Sequence, residues 1–157
     1  MYTDPRHASA LHALDAHYQG MPPVAALQLR IAGYDGERLR LQAPLSAHVN
    51  DKGCAFGGSL GSLMTLAGWG LFTLRLEAAG LGPTPVYVAD SHVRYRAPLF
   101  DDLQAEAWLE GGNWNAAFAA LRDGGRARVV LHAQVTCGDG TVAASCRARY
   151  VAIAATK

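Results

Sequence analysis

The chain has 157 residues, 50% of them apolar and 17% charged, with a formal charge of +1 at neutral pH. That length suits one domain, residues 1–157, with a core of its own, and the near-zero charge gives no electrostatic case for nucleic acid or an anionic membrane. Cys54, Cys137 and Cys146 cannot all pair and show no CxxC zinc spacing, so the expectation is a reduced, cytoplasmic setting with no metal.

Residues 1–20 carry Asp4, Arg6, Asp15 and several histidines, which leaves no apolar core for a signal peptide. They carry helix-start chemistry instead. Asp4 suits an N-cap with Pro5 at the first helical position, Leu11, Leu14 and Tyr18 share a face, and Gly20 sits at the C-cap. Pro22 and Pro23 end this helix. Val24–Ala32 and Arg38–Ala43 alternate apolar and polar residues as strands do, and Tyr34-Asp35-Gly36 supplies a hairpin turn between them. Residues 44–56 read as a loop and 57–79 as the central helix, closed by Gly80.

That helix is apolar almost all round, as expected of one enclosed by protein. At 15 residues, its most apolar stretch, Leu60–Leu74, is short of a bilayer span, and it is interrupted by glycine, serine and threonine. Its interior glycines cost about 1 kcal/mol each against alanine, so close approach to a sheet is the expected gain. Val86–Arg96, Leu103–Leu109, Arg126–Cys137 and Thr141–Ile153 then read as consecutive antiparallel strands, with Asp139-Gly140 as a tight turn. Asn113–Leu121 reads as a short helix or loop at the edge. The order predicts an α+β fold in which an antiparallel sheet wraps around one long central helix, and periodicity alone leaves other α+β folds open.

The segment most informative about chemistry is His48-Val-Asn-Asp-Lys-Gly-Cys-Ala-Phe-Gly-Gly58. It delivers Gly57 and Gly58 to a helix start, where the first amides lack internal partners and sit at the positive end of the helix dipole. With no side chain in the way, such amides can hold the oxyanion formed when a thioester carbonyl is attacked. Asn50 or Asp51 could orient or deprotonate the attacking water. The same residues also describe a tight loop with an Asx-turn at Asn50.

Over residues 22–153 the chain resembles the YiiD-type thioesterase domain of the hotdog thioesterase superfamily. The matching pieces are Ala43-Pro-Leu45, His48–Gly53, Ala55–Ser59, Leu66-Ala-Gly-Trp-Gly70 and Ser91–Tyr95 followed by Arg96-Ala-Pro98. The resemblance implies a hotdog fold paired as a homodimer or a dimer of dimers. It also implies an acyl-CoA or acyl-carrier-protein thioester substrate bound near the dimer interface, a place in fatty-acid metabolism, and no metal or redox cofactor. Phenylacetate-type relatives, similar through Asn50-x-x-Gly53 and Gly57-Gly58, carry histidine where Phe56 stands and an acidic residue where Thr65 stands. The catalytic set implied here is therefore Asn50, Asp51, Gly57, Gly58 and Thr65, with His48, Phe56, Ser62, Arg94 and Tyr95 binding substrate. Related domains can follow an acetyltransferase domain in one chain, whereas this one is expected to stand alone.

Other constellations are weaker. Ser91 and His92 are neighbours on a strand and point to opposite faces, which rules out a triad with Asp51. His92, Arg94 and Arg96 share one face, where Arg94 or Arg96 could grip a coenzyme phosphate. Cys54 has no evident histidine partner for a nucleophilic role. Hydrolysis of acyl thioesters is the leading expectation. Decarboxylation or acyl transfer on a malonyl-type thioester is the second, and a non-catalytic acyl-CoA-binding module, favoured by Thr65 in place of a carboxylate, is the third.

Overall fold

A computed structural model describes residues 4–154, so both ends of the domain expected over 1–157 lie outside the described residues. A 3-10 turn at Pro5–His7 leads into α1 (Ala8–Gln19), followed by the single helical turn α2 (Pro22–Ala25). β1 (Arg30–Tyr34) and β2 (Leu39–Ala43) precede the central helix α3 (Gly57–Ala78). After it come β3 (Val86–Tyr95), β4 (Leu103–Leu109), α4 (Asn115–Arg122), β5 (Ala127–Thr136) and β6 (Val142–Ala152). The strands form one antiparallel sheet in the order β1-β2-β4-β5-β6-β3. α3 packs across its inner face against β2, β3, β4, β5 and β6. A six-stranded antiparallel sheet wrapped around one long helix is the hotdog fold.

Alternation builds the two faces of the sheet. On β4, Leu103, Ala105, Ala107 and Leu109 are buried towards α3, while Gln104, Glu106 and Trp108 face outward. The expected strand over Val24–Ala32 is shorter, starting only at Arg30. Pro22 and Pro23 occupy the first positions of a helical turn, which their fixed φ favours, and Gln28 at φ 53° then interrupts the extended chain. The ambiguous stretch near Asn113 forms α4, whose Ala117, Phe118 and Leu121 are buried at helical spacing. No helix among the described residues is long and apolar enough to cross a membrane.

Two tyrosines seat the central helix. Tyr18 of α1 donates its hydroxyl to the Leu66 carbonyl at 2.7 Å, and Tyr150 of β6 donates to the Thr65 carbonyl at 3.1 Å. Burial raises both phenol pKa values above the ordinary one, which keeps both hydroxyls protonated as donors. The glycines of the helix make this approach possible. A Cβ on Gly68 would lie 2.4 Å from the Tyr150 hydroxyl, and one on Gly70 would lie 2.1 Å from that of Tyr18.

Gly68→Ala therefore meets a buried, hydrogen-bonded ring that cannot swing aside. Overpacking of about 1–3 kcal/mol is expected to outweigh the gain of about 1 kcal/mol in helix propensity. Thermal or urea unfolding should show Gly68→Ala less stable than wild type, and Gly80→Ala is not an equivalent control because Gly80 has φ 73°. Ala78→Gly, in the last turn of α3, provides the comparison for propensity alone.

Candidate active site at the start of the central helix

The loop before α3 is closed on itself by backbone bonds. Val49 bridges Ala55, the Asn50 amide donates to the Cys54 carbonyl at 2.8 Å, and the Phe56 amide donates to the His48 carbonyl at 2.7 Å. Gly53 takes φ 79° at the turn, a left-handed conformation that glycine adopts without strain. The Asn50 side chain organises the tip: its Oδ1 accepts from the amides of Lys52 at 2.8 Å and Cys54 at 3.2 Å. Its Nδ2 lies 3.2 Å from the Cys54 sulfur.

His48 anchors the base of the loop. Its ring is buried, with Nε2 2.7 Å from the Leu27 carbonyl and Nδ1 2.8 Å from the Ser59 hydroxyl. A carbonyl can only accept, so Nε2 carries the proton and Nδ1 accepts from Ser59. Both nitrogens are thus engaged within the fold, tying the loop to α2's exit and to the first turn of α3.

The helix itself begins without a capping side chain. The Phe56 carbonyl accepts from the amides of Ser59 at 3.0 Å and Leu60 at 3.3 Å, whereas the amides of Gly57 and Gly58 have no partner among the described residues. Two donors at the positive end of a 22-residue helix are left for a ligand. The Tyr95 ring lies along the same turn, 3.4 Å from where a Gly57 Cβ would be and, through its hydroxyl, 3.7 Å from that of Gly61. The exposed Phe56 ring covers Gly58. A crevice of about 330 Å³ opens here between Ala55, Gly57 and Leu60 on one side and Tyr95 and Arg96 on the other. Ala97, Pro98 and Leu99 complete its wall, held by the Ala55 amide donating to the Leu99 carbonyl at 2.8 Å.

The structure thus brings Gly57, Gly58, Phe56 and Tyr95 together. Asn50 lies in the adjoining loop with its carbonyl oxygen spent on that loop. Asp51 sits at the loop tip with its carboxylate 80% exposed, 2.9 Å from the Lys52 ammonium. Thr65 donates its hydroxyl to the Gly61 carbonyl one turn back in its own helix, and Ser62 faces solvent. Arg94 is separated from this group: it pairs in register with Ser145 on the outer face of the sheet, while Tyr95 pairs with Ala144 and faces inward. The turn at Ala97–Leu99 was legible from Pro98 and forms part of the resemblance, but sequence reasoning did not assign it to the site. Ser59, the partner that fixes the His48 ring, was also passed over. No cluster of metal-ligating side chains exists among the described residues.

If His48 and Asn50 hold the loop as described, Ser59→Ala leaves a buried ring acceptor unpaired and Asn50→Ala frees two backbone donors. Each should lower stability by about 1–3 kcal/mol, measured by urea unfolding. Backbone amide exchange in residues 49–55 should accelerate in Asn50→Ala while α4 is unaffected.

Comparison with known proteins agrees with the fold. A putative thioesterase from Shewanella oneidensis superposes with a TM-score of 0.84 at 26% identity, over 93% of this chain and 99% of that one. A Pseudomonas aeruginosa protein of unknown function, called a probable thioesterase, matches at 0.78 and 24% identity, over 94% of this chain and 95% of that one. A thioesterase from Haemophilus influenzae shares the fold at 0.76 with 15% identity, covering 94% and 92% of the two chains. Residues 12–154 match the family described as "Putative thioesterase (yiiD_Cterm)". With nearly its whole length matched and the fold in agreement, the chain belongs to this YiiD C-terminal thioesterase family.

Proposed function

We propose that the protein hydrolyses acyl thioesters of coenzyme A or of an acyl carrier protein. The observation that carries this reading is the pair of unpartnered Gly57 and Gly58 amides beside the Tyr95 crevice. The thioester carbonyl oxygen lies against these two amides, which favour the negative charge that develops on it in the transition state. Asp51, the one carboxylate of the loop, takes a proton from the attacking water. The new C–O bond forms as a tetrahedral adduct, the C–S bond then breaks, and the proton held by Asp51 passes to the departing thiolate. Asn50 acts on this step by shaping the loop that carries Asp51. Phe56 and Tyr95 enclose the acyl and pantetheine portions, with Ser62 and Thr65 further along the same helix. The reaction as written consumes only water.

The chain also pairs, in this reading, with a second copy of itself. β3 is a ten-residue strand at the edge of the sheet with most of its side chains exposed, including Tyr87, Val88 and Tyr95. A long exposed edge is a template for strand pairing, and an antiparallel copy would meet it and cover these residues.

A binding module without turnover is the competing reading, favoured by the Thr65 hydroxyl being directed into its own helix. A panel of acyl-CoA and acyl-carrier-protein thioesters of varied chain length, at micromolar protein, separates the two by release of free thiol. Turnover is expected with at least one member. Asp51→Asn should lower kcat by about 10²–10⁴-fold with little change in KM. Binding without thiol release from any member would overturn hydrolysis, and full activity in Asp51→Asn would remove Asp51 from the mechanism.

A further inference from the structure

The crevice at Gly57 continues around the sheet. Arg96 lines it and also lines a second hollow, of about 360 Å³, on the opposite, outer face, together with His92, Arg94, His132 and Arg147. At that junction Arg96 donates from Nε to the Ser145 hydroxyl at 3.3 Å.

The outer face is cationic far beyond the chain's formal charge of +1. Nine arginines, Arg30, Arg38, Arg40, Arg94, Arg96, Arg126, Arg128, Arg147 and Arg149, lie on the outward register of the sheet or at its margins, against the four carboxylates Asp90, Asp102, Glu106 and Glu110. Three of the carboxylates are consumed locally. Glu106 pairs with Arg38 and Arg40, Glu110 with Arg147, and Asp90 with Arg149. Glu110 is held at about 2 by its bonds to Arg147 and His132, so it remains ionised at any physiological pH. Arg30, Arg94, Arg96, Arg126 and Arg128 have no carboxylate partner among the described residues. The face thus holds a surplus of five positive charges, and the rest of the chain is acidic by four.

We propose that this outer face is the docking surface for an acidic protein that carries the acyl group as a thioester on a flexible arm. Arg96 marks where the arm rounds the sheet towards Gly57 and Gly58. The proposal rests on the thioester reading above and names the form in which the substrate arrives. The spread of charge selects a protein over a free nucleotide carrier. The unpaired arginines run from Arg30 on β1 to Arg94 on β3, the two edges of a six-stranded sheet, which are about 24 Å apart at ordinary strand spacing. Arg94, Arg96 and Arg147 do gather at the hollow, but a nucleotide would also call for an open aromatic surface beside them. The aromatic ring of the hollow is already occupied: Trp108 has the Arg38 guanidinium 4.5 Å from its centroid and the His132 ring stacked at 5.9 Å. A broad field of one sign steers an oppositely charged protein and sets its orientation.

The test uses the full chain and its Arg30→Glu/Arg128→Glu double variant, with Arg122→Glu on α4, whose guanidinium reaches the Ala79 carbonyl, as a charge control outside that face. Fluorescence anisotropy measures binding of a labelled acidic acyl carrier protein at about 25 and 300 mM salt, and thiol release is followed for the acylated carrier protein, acyl-CoA and acyl-pantetheine. Wild type should bind the carrier protein. The double variant and the higher salt should each weaken it by about tenfold or more, while Arg122→Glu binds as wild type. Turnover of acyl-CoA and acyl-pantetheine by the double variant should stay within about twofold of wild type. Carrier-protein binding that is absent, or indifferent to the double variant, would overturn the proposal. An equal loss for acyl-CoA would also overturn it, because the face would then be serving phosphates. If no thioester is hydrolysed by wild type, the hydrolytic reading fails by itself, and the anisotropy result still decides docking.

Discussion

The architecture depends on how a helix with no polar face is held inside a sheet. Burial supplies the driving force, yet apolar contact alone does not fix where such a helix sits along its axis. The two tyrosine hydroxyls do. They reach α3 from different elements, α1 and β6, and meet consecutive carbonyls at Leu66 and Thr65. Both phenols are almost wholly buried, so a slipped helix would strand two polar groups without partners. Gly68 and Gly70 are the cost of that arrangement in helix propensity, and the close approach of the rings is what they gain. Trp69 adds a third tie, donating from its indole nitrogen to the Val86 carbonyl at 3.0 Å and so linking α3 to the edge strand.

With the helix axis set, its first turn is set as well. A helix start of this kind would ordinarily be capped by Ser, Thr, Asp or Asn. Phe56 stands in that place and has no side-chain acceptor to offer, so Gly57 and Gly58 keep their amide protons free. The neighbouring polar residues do not compensate. Asn50 spends its oxygen inside the loop, and His48 spends both ring nitrogens on Leu27 and Ser59. Stability forgone at the cap becomes a place where a carbonyl oxygen can be received. The apolar rings of Tyr95 and Phe56 beside it suit a ligand that is acyl on one side and polar at its reacting atom.

Much of this was legible in the chain. The all-round apolar helix, its glycines and the alternating strands point to a sheet packed on a helix, while periodicity alone leaves other α+β arrangements open and the resemblance narrows them. That His92 and Arg94 share one face, opposite Ser91 and Tyr95, was also readable from alternation, and the β3–β6 register agrees. The start of β1 was not, because Leu27 and Leu29 alternate like strand residues while the preceding proline pair imposes a helical turn. Nor could spacing reveal that Asn50 and His48 are internally satisfied. A short polar side chain in a loop reads the same whether it faces a substrate or its own backbone, and only the partners at Cys54, Lys52, Ser59 and Leu27 distinguish the two. The charge surplus of the outer face was hidden for a related reason: its arginines are scattered in sequence and converge only when five strand-to-strand registers are in place.

The central claim is that the Gly57 and Gly58 amides receive a thioester carbonyl. It is tested most directly by ¹H–¹⁵N NMR titration of the full chain with a non-hydrolysable ketone analogue of an acyl-pantetheine thioester, read together with the infrared carbonyl stretch of the bound analogue. The account predicts that the Gly57 and Gly58 amide resonances move downfield on binding and that the carbonyl stretch falls in frequency, both signs of direct hydrogen bonding. Saturable binding that leaves those two amides and the carbonyl stretch unperturbed would contradict it.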